Sequence, residues 1–300
     1  VRVSRVARVA VVLVPTVALL ALGTGAGSQG PPTTSTSSTT STSTTSTSTT
    51  STSTTTTTVP SPNRDNPFTN RAMAAFLKSR TDLVTAAVYN VQDGDTYTYH
   101  NGIREVTASM VKIDILADLL YESQQDGRAL TPEEQSTAAE MIEVSDNQAA
   151  NVLWAAIGGR DAIDAFNAMI GFKATVPSWD WGEIETTPLD QLQLLKVIAL
   201  PNRILDAASR QFEMNLMEHV ISSESFGLGW GSPPGATVGL KDGYYPEPTT
   251  GWQLNSSGFV MYQGRFYLAT IMCADNPDEG YGISTLTDVA SDIWKYLLPR

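Results

Sequence analysis

Residues 33–58 are an unbroken run of 26 serines and threonines, and no other feature limits the fold so sharply. Such a tract holds no apolar side chain to bury, so nothing offsets the entropy of ordering it. It divides the chain, and a folded domain must lie to one side of it. With its flanks, residues 27–66, it reads as a disordered stalk open to O-glycosylation; a bare solvated spacer fits the composition equally.

Before the stalk, residues 1–26 read as a signal peptide. Arg2, Arg5 and Arg8 precede the apolar run "VAVVLVPTVALLAL", and "GTGAGS" offers small residues for cleavage after Ala26. The run is short for a membrane span and carries Pro15, so an uncleaved N-terminal anchor is the alternative. No cysteine stands near the cut, and no lipid anchor is expected there. The rest of the chain is expected to be an exported bacterial protein, secreted or held at the cell surface.

Residues 67–300 are long enough for one domain with a substantial core. The net charge is −12, and the part beyond the three leader arginines is more negative still. That balance argues against nucleic acid or anionic lipid as a partner. One cysteine, Cys273, allows no internal disulfide, and it reads as a small buried hydrophobe in "YLATIMCAD". With only His100 and His219 besides, a His/Cys metal site is not expected, nor is a cofactor. A monomer is expected.

The domain opens with a helix near Asn70–Arg80. Two strand-like runs, "LVTAAVYNV" and "DTYTYHNG", then flank an Asp93-Gly94 turn. From Ser109 the apolar spacing turns helical through Val111, Ile115, Leu116, Leu119 and Leu120. Capping signals begin helices at Thr131 ("TPEE"), at Ser145 ("SDNQ", with Gln148 as partner) and at Thr187 ("TPLD"). Past Gly229 come three strands, "ATVGLKDG", "GWQLNSSGFVMY" and "RFYLATIMCA", and a last helix in "ISTLTDVASDIWKYLL". Strands at both ends around a helical middle predict an α+β fold, with one antiparallel sheet of about five strands flanked by helices.

Chemistry concentrates in "TASMVKIDILADLL". A serine hydroxyl needs a neighbouring base, and a lysine held neutral can serve. Ser109 and Lys112 lie three residues apart at a helix start, hence on one face. The competing reading makes Ser109 a helix cap and Lys112 a solvated first-turn side chain. Two more elements tip the balance: Ser145-Asp146-Asn147, and Lys241-Asp242-Gly243 on a late strand. Each also has a local explanation, as a capping box and as a turn dipeptide.

The three elements in this order resemble the signature of serine β-lactamases and penicillin-binding proteins. The domain is similar to the β-lactamase and D,D-peptidase superfamily, nearest to class A β-lactamase-like serine hydrolases. "ETTPLDQLQLL" also resembles the helix start that follows the family's Ω-loop. The resemblance implies Ser109 as the acylated nucleophile and Lys112 as its base, with Lys241 keeping that base neutral. Ser145 would pass the proton toward the leaving nitrogen, and Asn147 would bind the substrate amide. Lys241 would attract the substrate carboxylate. The N–H groups of Ser109 and Tyr244, the latter just past Gly243, would form the oxyanion hole. The implied partner is a β-lactam or a peptidoglycan stem peptide.

Three departures stand out. Asp242 occupies the place of a family hydroxyl, where an ionised carboxylate would repel a substrate carboxylate. The Ω-loop region "GFKATVPSWDWGEIETTP" looks shortened and lacks the family's Glu-x-x-x-Asn pattern. It leaves Asp180, Glu183 and Glu185 as rival candidates for a deacylating acid, with Trp179 and Trp181 as buried loop anchors or rings over the site. Only 36 positions separate Ser109 from Ser145, so a reduced helical lobe and an open cleft are expected. Three functions follow in order: β-lactam hydrolysis, a D,D-carboxypeptidase-type activity, and a surface binding module that has lost turnover.

Overall fold

The structure, a computed structural model, describes residues 66–80, 83–247 and 249–298. The leader, nearly all of the stalk and the boundary between them lie outside the described residues.

Five strands form the main sheet in the order β2-β1-β7-β6-β5, every adjacent pair antiparallel. They are β1 (Leu83–Asn90), β2 (Thr96–Tyr99), β5 (Thr237–Glu247), β6 (Gly251–Tyr262) and β7 (Arg265–Asn276). A separate short pair joins β3 (Glu105–Val106) to β4 (Glu185–Thr186). The helices are α1 (Arg71–Ser79), α2 (Lys112–Gln125), α3 (Pro132–Glu143), α4 (Asn147–Ala156) and α5 (Arg160–Ile170). After these come α6 (Pro188–Ala199), α7 (Ala207–Glu218), α8 (Leu228–Gly231) and α9 (Glu279–Leu297). This is the expected α+β architecture, with the sheet completed by strands from both ends of the domain.

Period-2 alternation sends successive β7 side chains to two cores. Tyr267, Ala269, Ile271 and Cys273 pack with Leu286, Val289 and Ile293 of α9, while Leu268 joins the core of the helical lobe. Cys273 is fully buried, as its sequence context suggests.

Helix starts obey the local signals with one exception. Thr131 and Glu134 close a capping box at α3, at 3.1 and 2.8 Å, and the Asp190 N–H donates to Thr187 Oγ1 at α6. At α4 the cap is Asp146, whose Oδ1 accepts from the Ala149 N–H at 2.7 Å, and not Ser145 with Gln148. Ser145 instead sits at φ +59°, a left-handed conformation that costs a non-glycine residue about 1 kcal/mol or more.

Three buried carboxyl groups of the helical lobe are raised by their burial: Asp114 and Asp118 on α2 and Glu213 on α7. Burial pushes Asp114 up to about 7, although the Asn167 amide, donating at 2.9 Å, pulls it back. Burial, Asp114 and Glu122 push Asp118 up to about 8, and burial raises Glu213 well above the carboxylate range. Folded-state values above the unfolded ones mean that these groups stabilise the fold fully only below about pH 4. That contribution is lost as pH rises through about 7 to 8. Thermal unfolding should therefore show falling stability between about pH 5 and 8, and Asp118→Asn should remove on the order of 2 kcal/mol of the fall. An unchanged slope in the variant would contradict this assignment.

Candidate active site

Ser109 lies inside a 3-10 turn, Ala108–Val111, that runs directly into α2. The turn's N-cap is Thr107, no side chain caps it, and the Ser109 hydroxyl makes no hydrogen bond among the described residues. Lys112 is fully buried. The helix-cap and solvated-lysine readings of this pair are thereby removed.

Long-range bonds hold the turn. The Asn255 amide of β6 donates to the Val106 and Thr107 carbonyls at 2.8 and 3.0 Å, and the Val106 N–H donates to Gln253 Oε1 at 3.2 Å. The Thr107 N–H donates to the Ile184 carbonyl at 2.8 Å. On the outer side lies β5, the edge strand. A Cβ placed on Gly243 would stand 2.7 Å from the Met110 nitrogen and the Thr107 oxygen, and 2.9 Å from the Ser109 nitrogen. Real Cβ atoms do not approach backbone so closely, so only glycine lets strand and turn meet here. Asp242-Gly243 is thus interior strand and not a turn, since β5 continues to Glu247.

Lys112 Nζ donates to the Ser145 carbonyl at 2.6 Å, to Ser145 Oγ at 3.2 Å and to Asn147 Oδ1 at 2.8 Å. The strained Ser145 conformation aims its carbonyl and hydroxyl at one amine. Burial, and after it the Lys241 charge, lower Lys112 to about 7 against the opposing charges of Glu224 and Asp146. A value lowered this far brings the amine's titration into the physiological range, where it can exchange a proton. Lys241 is itself fully buried, lowered to about 8 mainly by burial, and its Nζ donates to the Asp242 carbonyl at 3.0 Å.

Asp242 is fully buried opposite Ser256 on β6 and does not line the cleft. Burial drives its carboxyl well above the ordinary range, with the nearby Ser256 hydroxyl and Lys241 offsetting only part. Buried on β5 and outside the cleft lining, it does not face a substrate carboxylate, so the expected direct repulsion by Asp242 does not arise.

The cleft beside Ser109 holds about 350 Å³ and is lined by Asn147, Tyr244, Tyr245 and the loop residues Asp180, Trp181 and Glu183, among others. Larger grooves of about 640 and 510 Å³ lie elsewhere; the lysine of the first, Lys295, is exposed and paired with Asp292, and the second has no lysine. Asp190 clamps the loop, its carboxylate accepting from the N–H groups of Lys173, Ala174 and Thr175 at 2.8–2.9 Å and from Thr175 Oγ1 at 2.8 Å. Of the rival loop acids, Asp180 caps the turn Trp181–Glu183 and lines the cleft, as does Glu183. Glu185 is exposed on β4, outside the lining.

Trp181 is half-buried, with Nε1 donating to Asn151 Oδ1 at 2.9 Å and its ring centroid 5.1 Å from Lys112 Nζ. Trp179 is no buried anchor: it is 76 % exposed, with Arg160 4.9 Å from its ring. Sequence reasoning missed Glu224, on the turn Ser222–Glu224, whose charge acts on both lysines. It missed Asn255 and Gln253 as well. These three come from segments remote from every motif, and only the fold brings them to Ser109.

The family model that matches, over residues 129–297, is described as the beta-lactamase enzyme family. It spans Ser145, Asn147 and Lys241 and begins after Ser109 and Lys112. Among curated proteins, "Putative lipoprotein LppW" of Mycobacterium tuberculosis and of Mycobacterium bovis is 25 % identical over 222 residues, covering 68 % of this chain and 67 % of that protein. Among solved structures, the TLA-1 extended spectrum beta-lactamase matches with a TM-score of 0.67 at 17 % identity, over 76 % of this chain and 97 % of that one. PBP-A matches with a TM-score of 0.66 at 20 % identity, over 78 % and 98 %. These structural matches speak for the fold, and the family match spans more than half of the chain. The chain belongs to the beta-lactamase enzyme family.

Proposed function

We propose that the protein is an exported serine hydrolase that works through an acyl-enzyme on Ser109, with β-lactams as the substrates it opens. The observation that carries this reading is Lys112: fully buried, lowered to about 7, and one helical turn from an unengaged serine hydroxyl. In the forward step Lys112 Nζ takes the Ser109 proton as Oγ bonds to the substrate carbonyl carbon. The resulting oxyanion is received by the N–H groups of Ser109 and Tyr244. Ser145, in contact with Lys112, relays the proton to the leaving nitrogen as the C–N bond breaks. Asn147 orients the substrate amide, and Gly243 keeps strand and turn at the required separation.

Hydrolysis of the acyl-enzyme needs a water and a base. Neither cleft acid of the loop is buried against Lys112; Asp180 caps a turn and Glu183 is exposed. That arrangement favours slow deacylation, and with it the second reading, a D,D-peptidase acting on peptidoglycan stems. Export is supported by the leader's composition and by the name of the mycobacterial relatives. Among the described residues no helix is long and apolar enough to cross a membrane.

Intact mass over time on the full chain with benzylpenicillin, beside Ser109→Ala, tests the proposal. We expect an adduct on the wild type only, clearing slowly as product accumulates. A permanent adduct would replace β-lactam hydrolysis by the peptidase reading. An adduct on both proteins, or on neither, would contradict both, and affinity left intact in Ser109→Ala would then speak for a binding module.

A further inference from the structure

The cleft beside Ser109 is built from aromatic rings and carboxylates. Trp181, Tyr244 and Tyr245 supply three rings, and Asp180 and Glu183 supply two acids. No Lys or Arg is among its lining residues. Neither acid forms an ion pair among the described residues; of the cations near this loop, Arg160 is stacked by Trp179 and paired with Asp161 at 3.3 Å, Arg104 donates to the Ala174 carbonyl, and neither these nor Lys173 lines the cleft. The two site lysines sit beneath the surface with no exposure, and Lys241 is turned onto a backbone carbonyl. A third acid, Glu224, stands near both lysines with one buried oxygen lacking any partner.

A substrate carboxylate entering such a cleft meets negative charge with no exposed cation to receive it. A cation meets the opposite. Ring faces carry negative quadrupole potential, so a cation over them in a partly dry site is attracted before any carboxylate is counted.

We propose that the cleft selects an acyl donor bearing a cationic group, an ammonium or guanidinium held among Trp181, Tyr244 and Tyr245 and balanced by Asp180 and Glu183. The assignment rests on Ser109 as the nucleophile and names the substrate class for that chemistry. Among β-lactams, one that also bears an ammonium group then fits better than benzylpenicillin, whose turnover is expected to be slow.

The test separates the cleft from the chemistry. Full-length Ser109→Ala is titrated with 3-hydroxyphenyltrimethylammonium and with 3-tert-butylphenol, alike in shape and different in charge. The Trp181 indole N–H resonance, assigned through Trp181→Phe, reports binding. The cation should bind about tenfold more tightly, the preference of roughly one pair of favourable contacts. The double variant Asp180→Asn/Glu183→Gln should bring the two within about twofold. Equal binding, no binding of either compound, or a preference that survives the double variant would each overturn the proposal. A neutral fluorophosphonate applied to the wild type reports the nucleophile separately. Labelling of Ser109 without cation preference rejects only the substrate class, whereas cation preference without labelling leaves the site standing as a binding cleft and rejects the acyl-enzyme.

Discussion

Lys112→Met should slow acylation of Ser109 by about 10²–10⁴-fold, the range that a positioned general base contributes. Methionine keeps most of the buried stem volume and removes the amine. The loss leaves the Ser145 carbonyl and Asn147 Oδ1 without their donor, at about 1–3 kcal/mol for a buried acceptor. Removing an amine whose charging burial opposes works in the other direction, so the change in melting temperature should be small beside the loss of rate. A fall of less than about tenfold would mean that another group takes the proton.

The pH profile carries the same assignment with a definite sign. The base must be neutral, so the rate should rise with pH through about 7 and then level. Lys241 lowers Lys112 by like charge, so Lys241→Met should move the rise to higher pH. Glu224 raises it, so Glu224→Gln should move the rise to lower pH. Stopped-flow acylation across pH reads all three. Shifts in one common direction would contradict the assigned couplings.

Gly243→Ala is expected to damage the site more than any other glycine substitution beside Ser109, because its added methyl points into the turn itself. Its Cβ would meet two backbone atoms at 2.7 Å and the Ser109 nitrogen at 2.9 Å, none of which can swing aside as a flexible side chain can. Strand and turn must part, moving the Ser109 and Tyr244 N–H groups off the developing oxyanion. About 10²-fold in acylation rate is the cost expected for misplacement on that scale. Overpacking of this kind also destabilises by about 1–3 kcal/mol. Gly102→Ala, with nothing within 4 Å of the added methyl, is the control that should change neither quantity. Wild-type rate in Gly243→Ala would mean that the turn tolerates displacement and that the oxyanion pair lies elsewhere.

Elements set by neighbours in sequence were legible before the fold was known. Thr131 with Glu134 and Thr187 with Asp190 begin helices through bonds that span three residues. The strand Gly251–Tyr262 falls where its composition placed it. What failed needed distant partners. Ser145 and Asp146 are both capping residue types, and the choice between them follows from Lys112, which draws Ser145 into a left-handed conformation. Lys112 itself looks like any first-turn lysine until four segments close over it. Asp242 reads as a charged intruder in the cleft, yet it is buried opposite Ser256 and raised by that burial, away from the cleft lining. Trp179 and Trp181 are alike in sequence, yet one is exposed and the other faces the amine. Glu224 and Asn255 belong to no motif, so spacing offered nothing by which to find them.

The central claim, a Ser109 nucleophile activated by Lys112, is tested most directly by peptide mapping of the full chain after brief exposure to a neutral fluorophosphonate at a series of pH values. The account predicts a single modified residue, Ser109, labelled at a rate that rises through about pH 7 and is lost in Lys112→Met. Modification of another residue, or of Ser109 at a rate indifferent to pH and to Lys112, would contradict it.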